Sequence, residues 1–350
     1  MVIKHKSIKR RLLVFSVLTL PIILIVTISG CGKATPVTEP TYTFELGSID
    51  AEGTVQYEAC ELFIGCVDKK SHGKIKINFF PAGQLGDYAA MHEAVSMGTL
   101  DMTAGPCNPF ADIRAAIAYT GYVVSTWDEA RQAYGGFGEE GWLTVKFSGI
   151  MEDTDEKVLA LRPLGFTHIC GKKPFRTPEE ASTIKLRVPT AANYEAGAKG
   201  MGFIVTPIPY GELYTSLQLG VIDNTDGLDL ELMNKQYYDV IDYAILTYDH
   251  FEIQPFTINL PLWNSLDKET QEILLNCATE MADYSWREAE KREGQMEKEL
   301  ETKGIEVIHL TPAELQVFVS RSRAGEFPVV EKLIGKELMD FVRAHVSNGS

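Results

Sequence analysis

Apolar residues recur along the first part of the chain with two different spacings, which predict alternating strands and helices. At the start, Tyr42, Phe44 and Leu46 alternate with polar residues, as in a strand with one buried face. From Val55 the apolar positions recur every three or four residues, as on one face of a helix. This order predicts an α/β fold with a doubly wound sheet. Strands are predicted over 42–46, 74–80 and 100–104, and helices over 55–73 and 87–98.

The second half of the chain repeats this style. Strands are predicted over 158–162, 166–170 and 185–188, and a helix over 210–219, closed by Gly220. Two segments combine a capping threonine, a proline at the first helical position and a glutamate three residues on, which predicts a helix start at each. They are Thr177-Pro178-Glu179-Glu180 and Thr311-Pro312-Ala313-Glu314.

One stretch is unusually long for a single helix. Residues 266–303 contain no proline and only one glycine, Gly294. A continuous helix of that length reaches roughly 55 Å, which exceeds the diameter of one small lobe. We therefore predict a helix that braces two lobes.

The N-terminus has the pattern of an export signal. A basic start precedes an uncharged apolar run from Leu12 to Ile28, which Pro21 interrupts. The segment Ile28-Ser29-Gly30-Cys31 resembles the bacterial lipobox, which implies that Cys31 receives a lipid after cleavage. We predict a signal peptide over 1–30, a flexible tether over 31–41, and a periplasmic or extracytoplasmic protein anchored to the membrane through its N-terminal lipid. An ordinary signal peptide with an incidental cysteine is the alternative.

The composition excludes one class of partner. The formal net charge is −15, and loss of the five basic residues of the signal makes the mature chain still more acidic. Nucleic acid is therefore excluded as a partner, because its recognition needs a basic surface. A buried arginine can still bind an anion, since it dominates its local field.

The cysteines predict neither a metal site nor a cofactor. No CxxC pair or Cys/His metal spacing occurs in the sequence. Cys60 and Cys66 point to different sides of one predicted helix, so they do not bridge each other. We expect small buried cysteines, with one disulfide left open. The residues concerned, apart from Cys31, are Cys60, Cys66, Cys107, Cys170 and Cys277.

Several segments together resemble the DctP-type solute-binding proteins of TRAP (tripartite ATP-independent periplasmic) transporters. The resemblance runs through nearly the whole mature chain, in the order and spacing of that family. It is carried by 81–87 (PAGQLGD), 98–102 (GTLDM), 173–180 (KPFRTPEE), 184–189 (IKLRVP) and 207–223 (PIPYGELYTSLQLGVID).

The resemblance implies an architecture and a partner. It implies a two-lobed periplasmic-binding-protein fold that closes over a ligand, and a membrane permease driven by an ion gradient. We predict that lobe I comprises 42–164 plus 253–292 and lobe II comprises 165–252 plus 293–350. The implied function is capture of a small-molecule organic acid.

The resemblance also implies a set of ligand-binding residues. Arg187 matches the arginine that binds the ligand carboxylate, for which its planar guanidinium is suited by two parallel donors. Tyr210 matches an aromatic residue that stacks on the ligand, and Thr190 is a polar neighbour of the carboxylate. The alternatives are a structural ion pair for Arg187 and a core position for Tyr210.

Departures from the family pattern suggest the kind of ligand. Thr167 stands where many relatives carry an arginine, so one positive donor is missing. Asp226 keeps an acid, but Gly227 replaces an asparagine whose amide contacts the ligand elsewhere. We therefore predict a monocarboxylate with an aromatic or bulky body.

Two further residues are candidate polar contacts. His168 lies beside Thr167, although a histidine in a strand is more often a structural residue. Asn108 follows the third predicted strand at its carboxyl end, where open α/β sheets bind ligands. The family's metal-holding Glu-Trp pair is absent from 229–232, so we predict no metal.

Other functions remain as alternatives. A secreted hydrolase would need a nucleophile elbow or a zinc motif, and neither G-x-S-x-G nor H-E-x-x-H occurs. We therefore predict no catalytic residue and no enzyme activity. A ligand sensor for a signalling receptor would share this fold, and a binding protein for a non-acidic ligand would keep Arg187 for structure.

Overall fold

The computed structural model describes residues 41–106 and 112–346. The strands are β1 Tyr42–Ser48, β2 Ile75–Phe80, β3 Met102–Ala104, β4 Glu156–Phe166, β5 His168–Gly171, β6 Lys185–Val188, β7 Ile204–Pro207, β8 Asn224–Leu228, β9 Tyr243–Leu246, β10 Phe251–Asn259 and β11 Glu306–His309. The α-helices are α1 Val55–Ser71, α2 Tyr88–Ser96, α3 Trp127–Tyr134, α4 Trp142–Glu152, α5 Pro178–Ala181, α6 Ala192–Met201, α7 Leu213–Gln218, α8 Leu230–Leu232, α9 Leu260–Ser265, α10 Lys268–Thr302, α11 Pro312–Ile334 and α12 Lys336–His345. Short 3-10 helices span Ile113–Tyr119 and Tyr210–Glu212, and a π turn spans Met233–Tyr237.

The strands form two sheets, and the first contains the predicted β-α-β-α-β unit. Its strand order is β2-β1-β3-β10-β4. Strand β1 lies between β2 and β3 and pairs in parallel with both, while β10 runs antiparallel to β3 and β4. The inward side chains of β1, Phe44 and Leu46, lie in a core with α1 and α10. The alternation in the sequence therefore predicted these strands correctly.

The second sheet holds the remaining strands in the order β11-β9-β5-β8-β6-β7. Parallel pairs join β6 to β7 and β8, and antiparallel pairs join β5 to β8 and β9. The chain crosses between the sheets three times. One crossing runs through α9 and α10 between β10 and β11, and two are short, at Thr167 between β4 and β5 and at 247–250 between β9 and β10. The two short crossings are bonded to each other, since the Thr167 N–H donates to the His250 carbonyl at 2.8 Å.

The long helix is present as predicted. Helix α10 has 35 residues and begins after Asp267, which accepts the Thr270 N–H. At 1.5 Å per residue it is about 52 Å long. Along one part it packs on α1 and β4 of the first sheet's lobe, and further on it contacts α8 and β11 of the second. Its buried residues, such as Trp286 and Leu300, belong to the cores of both parts.

The helix starts follow the sequence signals, with one exception. Thr177 with Glu180 and Thr311 with Glu314 each form a complete capping box. The helix predicted over 210–219 instead begins as a 3-10 turn and becomes α-helical only at Leu213. Pro209 and Gly211 explain the difference, because proline restricts the backbone and glycine has a low helix propensity.

The cysteines include one disulfide, which the sequence had left open. Cys66 of α1 is bonded to Cys277 of α10. Cys60 and Cys170 are free and buried. Cys31 and Cys107 lie outside the described residues.

The chain from residue 38 onwards belongs to one compact unit, which is not divided further into lobes. The predicted boundaries of lobe I and lobe II therefore stay a prediction. Part of the C-terminal segment packs on α4, since Val330, Ile334 and Met339 share a core with Phe147. Among the residues that the structure describes, no helix combines the length and apolarity needed to cross a membrane.

Candidate functional site

A cleft of about 1130 Å³ lies between the two sheets and is lined by residues of both lobes and of α10. Asp50 enters it just beyond the carboxyl end of β1, and Pro189 and Thr190 enter it just beyond the carboxyl end of β6. These are the strand ends at which open α/β sheets bind ligands. The size suits a small molecule.

Arg187 of β6 reaches this cleft from a buried position, with only 2% of the residue exposed. Its Nε donates to the Ile208 carbonyl at 2.9 Å, and its Nη1 donates to the Asp226 carbonyl at 3.1 Å. Within 41–106 and 112–346 no carboxylate lies within ion-pair distance of it, and Nη2 forms no hydrogen bond there. Burial lowers the pKa of this guanidinium, and the nearby Asp226 opposes that effect. The guanidinium is held by neutral carbonyls and needs an anion to balance its charge.

Four other predicted residues line the same cleft: Thr167, Thr190, Tyr210 and Gly227. Tyr210 is 41% exposed, and its hydroxyl donates to Gln236 Oε1 at 3.3 Å. Gly227 has φ of 83°, and a Cβ built on it would lie 3.2 Å from Pro189 Cγ and 3.8 Å from Arg187 Nη1. The missing side chain therefore leaves space beside the guanidinium.

Two predicted residues, His168 and the side chain of Asp226, are not brought to the cleft surface. His168 is buried, and its Nδ1 accepts the Tyr248 N–H at 3.1 Å. Burial lowers the pKa of His168 to about 4, so the imidazole is neutral. The Asp226 carboxylate is buried behind the cleft, where its backbone carbonyl rather than its side chain meets Arg187. Asn108 lies outside the described residues.

Sequence reasoning missed three acids in the cleft, Asp229, Glu252 and Glu293. Asp229 accepts the Leu232 N–H at 2.9 Å, Glu252 accepts the Tyr194 hydroxyl, and Glu293 accepts the Trp127 indole N–H. Burial raises the pKa of Asp229 to about 7 and that of Glu293 to about 7, and it also raises the pKa of Glu252. No local signal could have found them, because they come from three separate elements.

Aromatic rings form much of the remaining wall. Trp127 lines the cleft and packs edge-on against Phe251 with ring centroids 5.1 Å apart. Tyr194 also lines the cleft, and its ring stacks on His250 at 3.9 Å. Tyr119 and Phe166 complete this surface.

A buried polar cluster supports the cleft from behind. His250 Nδ1 lies 2.9 Å from Asp249 Oδ2, and its Nε2 lies 3.7 Å from Glu326 Oε1. Burial opposes the charge of His250, but its hydrogen bond to Asp249 and the nearby carboxylate of Glu326 raise its pKa well above the usual value. Burial and the neighbouring Asp249 raise the pKa of the Asp226 carboxyl well above its usual value. The cluster holds its charges in place beneath β8 and Arg187.

The same cluster is the group in the described chain that could hold a metal ion. Asp226, Asp249 and His250 each offer one ligand atom, and these atoms lie within 4.8 Å of one another. The hydrogen bond between His250 and Asp249 already occupies some of these potential ligand atoms. The expected absence of a metal rested on a different segment and stays a prediction.

These features define a class before any comparison is made. Two α/β sheets face each other across a ligand-sized cleft, a 35-residue helix spans both, and one buried arginine is offered to the cleft. This is the architecture of a two-lobed extracytoplasmic solute-binding protein.

The comparisons identify the family. The sequence model of the DctP family, described as bacterial extracellular solute-binding protein, family 7, matches residues 46–325. The chain belongs to this family, as the sequence resemblance predicted. The family consists of transport solute-binding proteins rather than enzymes, and its members act outside the cytoplasm.

Relatives and solved structures agree. The sialic acid-binding periplasmic protein SiaP of Vibrio cholerae is 24% identical over 82% of this chain and 88% of its own. The ectoine-binding periplasmic protein TeaA of Halomonas elongata is 24% identical over 84% of this chain and 86% of its own. A TRAP periplasmic solute-binding protein of Haemophilus influenzae with bound L-gulonate has a TM-score of 0.78 at 23% identity, covering 87% of this chain and 99% of that one. The two-lobed fold is therefore confirmed.

Proposed function

We propose that the protein captures a small organic molecule with a carboxylate group in the cleft and delivers it to the membrane permease of a TRAP transporter. The observation that carries the proposal is Arg187, a buried guanidinium that reaches the cleft with no carboxylate partner within ion-pair distance among the described residues. Such a group is costly to bury, and a bound carboxylate would supply the missing charge. The compounds named for the relatives, sialic acid and L-gulonate, are consistent with this chemistry.

Three residues around the guanidinium support the same role. Thr190 lies just beyond the strand that carries Arg187, Tyr210 offers an exposed ring, and Gly227 leaves room at Nη1. We infer that the carboxylate lies against Nη1 and Nη2 and that the ligand body extends over Tyr210. The bulky or aromatic body predicted from the sequence remains part of this proposal.

A thermal-shift screen of the soluble chain against organic acids and neutral compounds tests the proposal. A ligand at a thousandfold its dissociation constant adds about 4 kcal/mol of stability, which is readily visible. We expect hits that contain a carboxylate. Arg187→Ala should weaken their binding about 100-fold or more, because a buried charge pair is lost.

The control is Arg176→Ala, which removes an exposed arginine outside the cleft that pairs with Glu314. This variant should keep the wild-type affinity. Equal affinity of wild type and Arg187→Ala for every hit would disprove the role of Arg187, and the ligand would then be held by other groups.

We further propose that Cys31 carries a lipid that anchors the mature protein to the membrane. The support is the lipobox-like segment 28–31 behind an export signal. Mass spectrometry of the N-terminal peptide of the membrane fraction should show a diacylglycerol-modified Cys31. In Cys31→Ser the protein should leave that fraction, and retention there without modification would contradict the anchor.

A further inference from the structure

The acidic and basic side chains of the cleft are unequal in number. Three acids in its wall, Asp229, Glu252 and Glu293, have no cation within ion-pair distance in the described part of the chain. Arg187 is the cation that the cleft offers without an acid partner. These three acids outnumber the one available positive charge, which makes the cleft a poor site for a simple anion.

Of the other charged residues of the wall, Asp87 caps α2 by accepting the Ala90 N–H at 2.8 Å, and the rest are paired with opposite charges. Asp50 pairs with the buried Arg162 at 3.1 Å, and Glu231 pairs with Lys235 at 2.9 Å. Arg292 is bound to Glu58 at 2.7 Å and lies 3.7 Å from Glu231. Since these groups satisfy one another, the three unpaired acids form a distinct set.

The three unpaired acids lie on elements other than β6, the strand that carries Arg187. Asp229 lies at the start of α8, Glu252 on β10 and Glu293 on α10. Asp229 is within electrostatic range of Tyr210 and Glu252, and Tyr210 is in turn within range of Arg187. The cleft therefore has a positive end at Arg187 and an acidic wall that continues from Asp229.

Aromatic rings accompany the acids. The Tyr194 hydroxyl donates to Glu252, and the Trp127 indole donates to Glu293, so each acid is oriented by a ring that also lines the cleft. Carboxylates together with aromatic faces bind ammonium groups, by charge pairing and by cation–π attraction. Both hydrogen bonds use the polar edge of the ring and leave its π face for packing.

We propose that the ligand is a zwitterion, whose carboxylate binds Arg187 and whose protonated or quaternary amine binds among Asp229, Glu252 and Glu293. This inference rests on the proposed function and narrows its ligand class. It also replaces the simple monocarboxylate of the sequence prediction, because the acids of the wall repel an anion that has no positive end. Burial raises the pKa of each of the three acids, and a cationic group bound among them would favour their ionised form.

The test compares matched compounds by thermal shift and titration calorimetry. The panel pairs cyclic and aromatic amino acids and their N-methylated betaines with deamino acids of the same carbon skeleton. We expect the zwitterion of a pair to bind at least about tenfold more tightly than its deamino partner. Deamino acids that bind equally well or better overturn this inference but leave the proposed function intact.

Neutral isosteres of the acids provide the second arm. Asp229→Asn, Glu252→Gln and Glu293→Gln are made separately, and at least one should weaken the zwitterion about tenfold or more, as loss of a charged hydrogen bond does. The same variant should not weaken binding of the deamino partner. Glu290→Gln is the control, because Glu290 lies on the same helix as Glu293 but pairs with Arg131 outside the cleft. Thermal unfolding confirms that each variant is folded.

Each remaining outcome is decisive. If no variant discriminates between the paired compounds, the acids do not hold an amine and the inference is wrong. If no carboxylate compound of any kind stabilises the protein, both the inference and the proposed function fail.

Discussion

Single residues in this protein are placed by local rules but acquire their role from their surroundings. Arg187 and His168 both lie on short buried strands, yet one keeps its charge and the other loses it. The guanidinium of Arg187 faces the cleft, whereas the ring of His168 is enclosed and accepts a backbone N–H. Of the predicted cleft residues, Thr167, Thr190, Arg187, Tyr210 and Gly227 do line the cleft, and His168 does not.

The neutral His168 makes the fold sensitive to acid. Because its pKa falls from 6.5 to about 4 on folding, the unfolded chain binds the proton first as the pH decreases. Stability associated with His168 is therefore complete above pH 6.5 and is lost as the pH falls towards 4. The loss amounts to about 3 kcal/mol. Urea unfolding measures the free energy of unfolding at pH 7 and at pH 4.5. Between these two pH values it should decrease less for His168→Gln than for wild type. Equal decreases would refute this role of His168.

Gly227 is required by its backbone conformation as well as by the space it leaves. Its φ of 83° lies in the left-handed region, and a Cβ would press on Pro189. Gly227→Ala should lower the free energy of unfolding by about 1–2 kcal/mol. Gly149→Ala, inside α4 with open space at the Cβ position, should instead stabilise by about 0.5–1 kcal/mol. Urea denaturation measures both, and the opposite ranking would contradict this account.

At the scale of elements, sequence patterns performed best where the signal is local. Capping boxes located the starts of α5 and α11, and the glycine-poor stretch located α10 within two residues at each end. The helix at 210 was less well predicted, because proline and glycine delay its α-helical part. Pairing of the strands into two separate sheets was not visible locally, since register depends on distant partners.

The disulfide between α1 and α10 should contribute substantially to stability. It closes a loop of 211 positions, which restricts the unfolded chain. The double variant Cys66→Ser/Cys277→Ser should be less stable by about 2–4 kcal/mol in urea unfolding under oxidising conditions. Dithiothreitol should destabilise the wild type to a similar extent and leave the double variant unchanged. Equal stability of the two oxidised proteins would show that the bond contributes nothing.

At the scale of the whole molecule, we expect the two lobes to close around a bound ligand. The chain crosses between the sheets at Thr167 and at 247–250, and the cleft opens between the sheets beside these crossings. The buried cluster around His250 lies at the second crossing and reaches Glu326 of α11. The charged groups of this cluster thus connect the second crossing to the part of the molecule that carries Arg187.

Ligand binding should reduce the radius of gyration. Closure of two lobes around a ligand is a common response of this architecture. Small-angle X-ray scattering with a saturating compound from the thermal-shift screen should show a smaller radius than the ligand-free protein. Arg187→Ala at the same compound concentration is the control and should show no decrease. An unchanged radius at saturation of the wild type would exclude closure.

The sequence by itself determined the class of fold, most helix and strand positions, the long bracing helix and the segment that brings Arg187 to a cleft. These features depend on local spacing, caps and contiguous motifs, which a linear chain displays directly. Only the tertiary structure decided that Cys66 pairs with Cys277, that His168 is enclosed, and that three acids face the cleft. Those outcomes depend on residues far apart in the chain, whose proximity and burial arise only when the two sheets and α10 pack together.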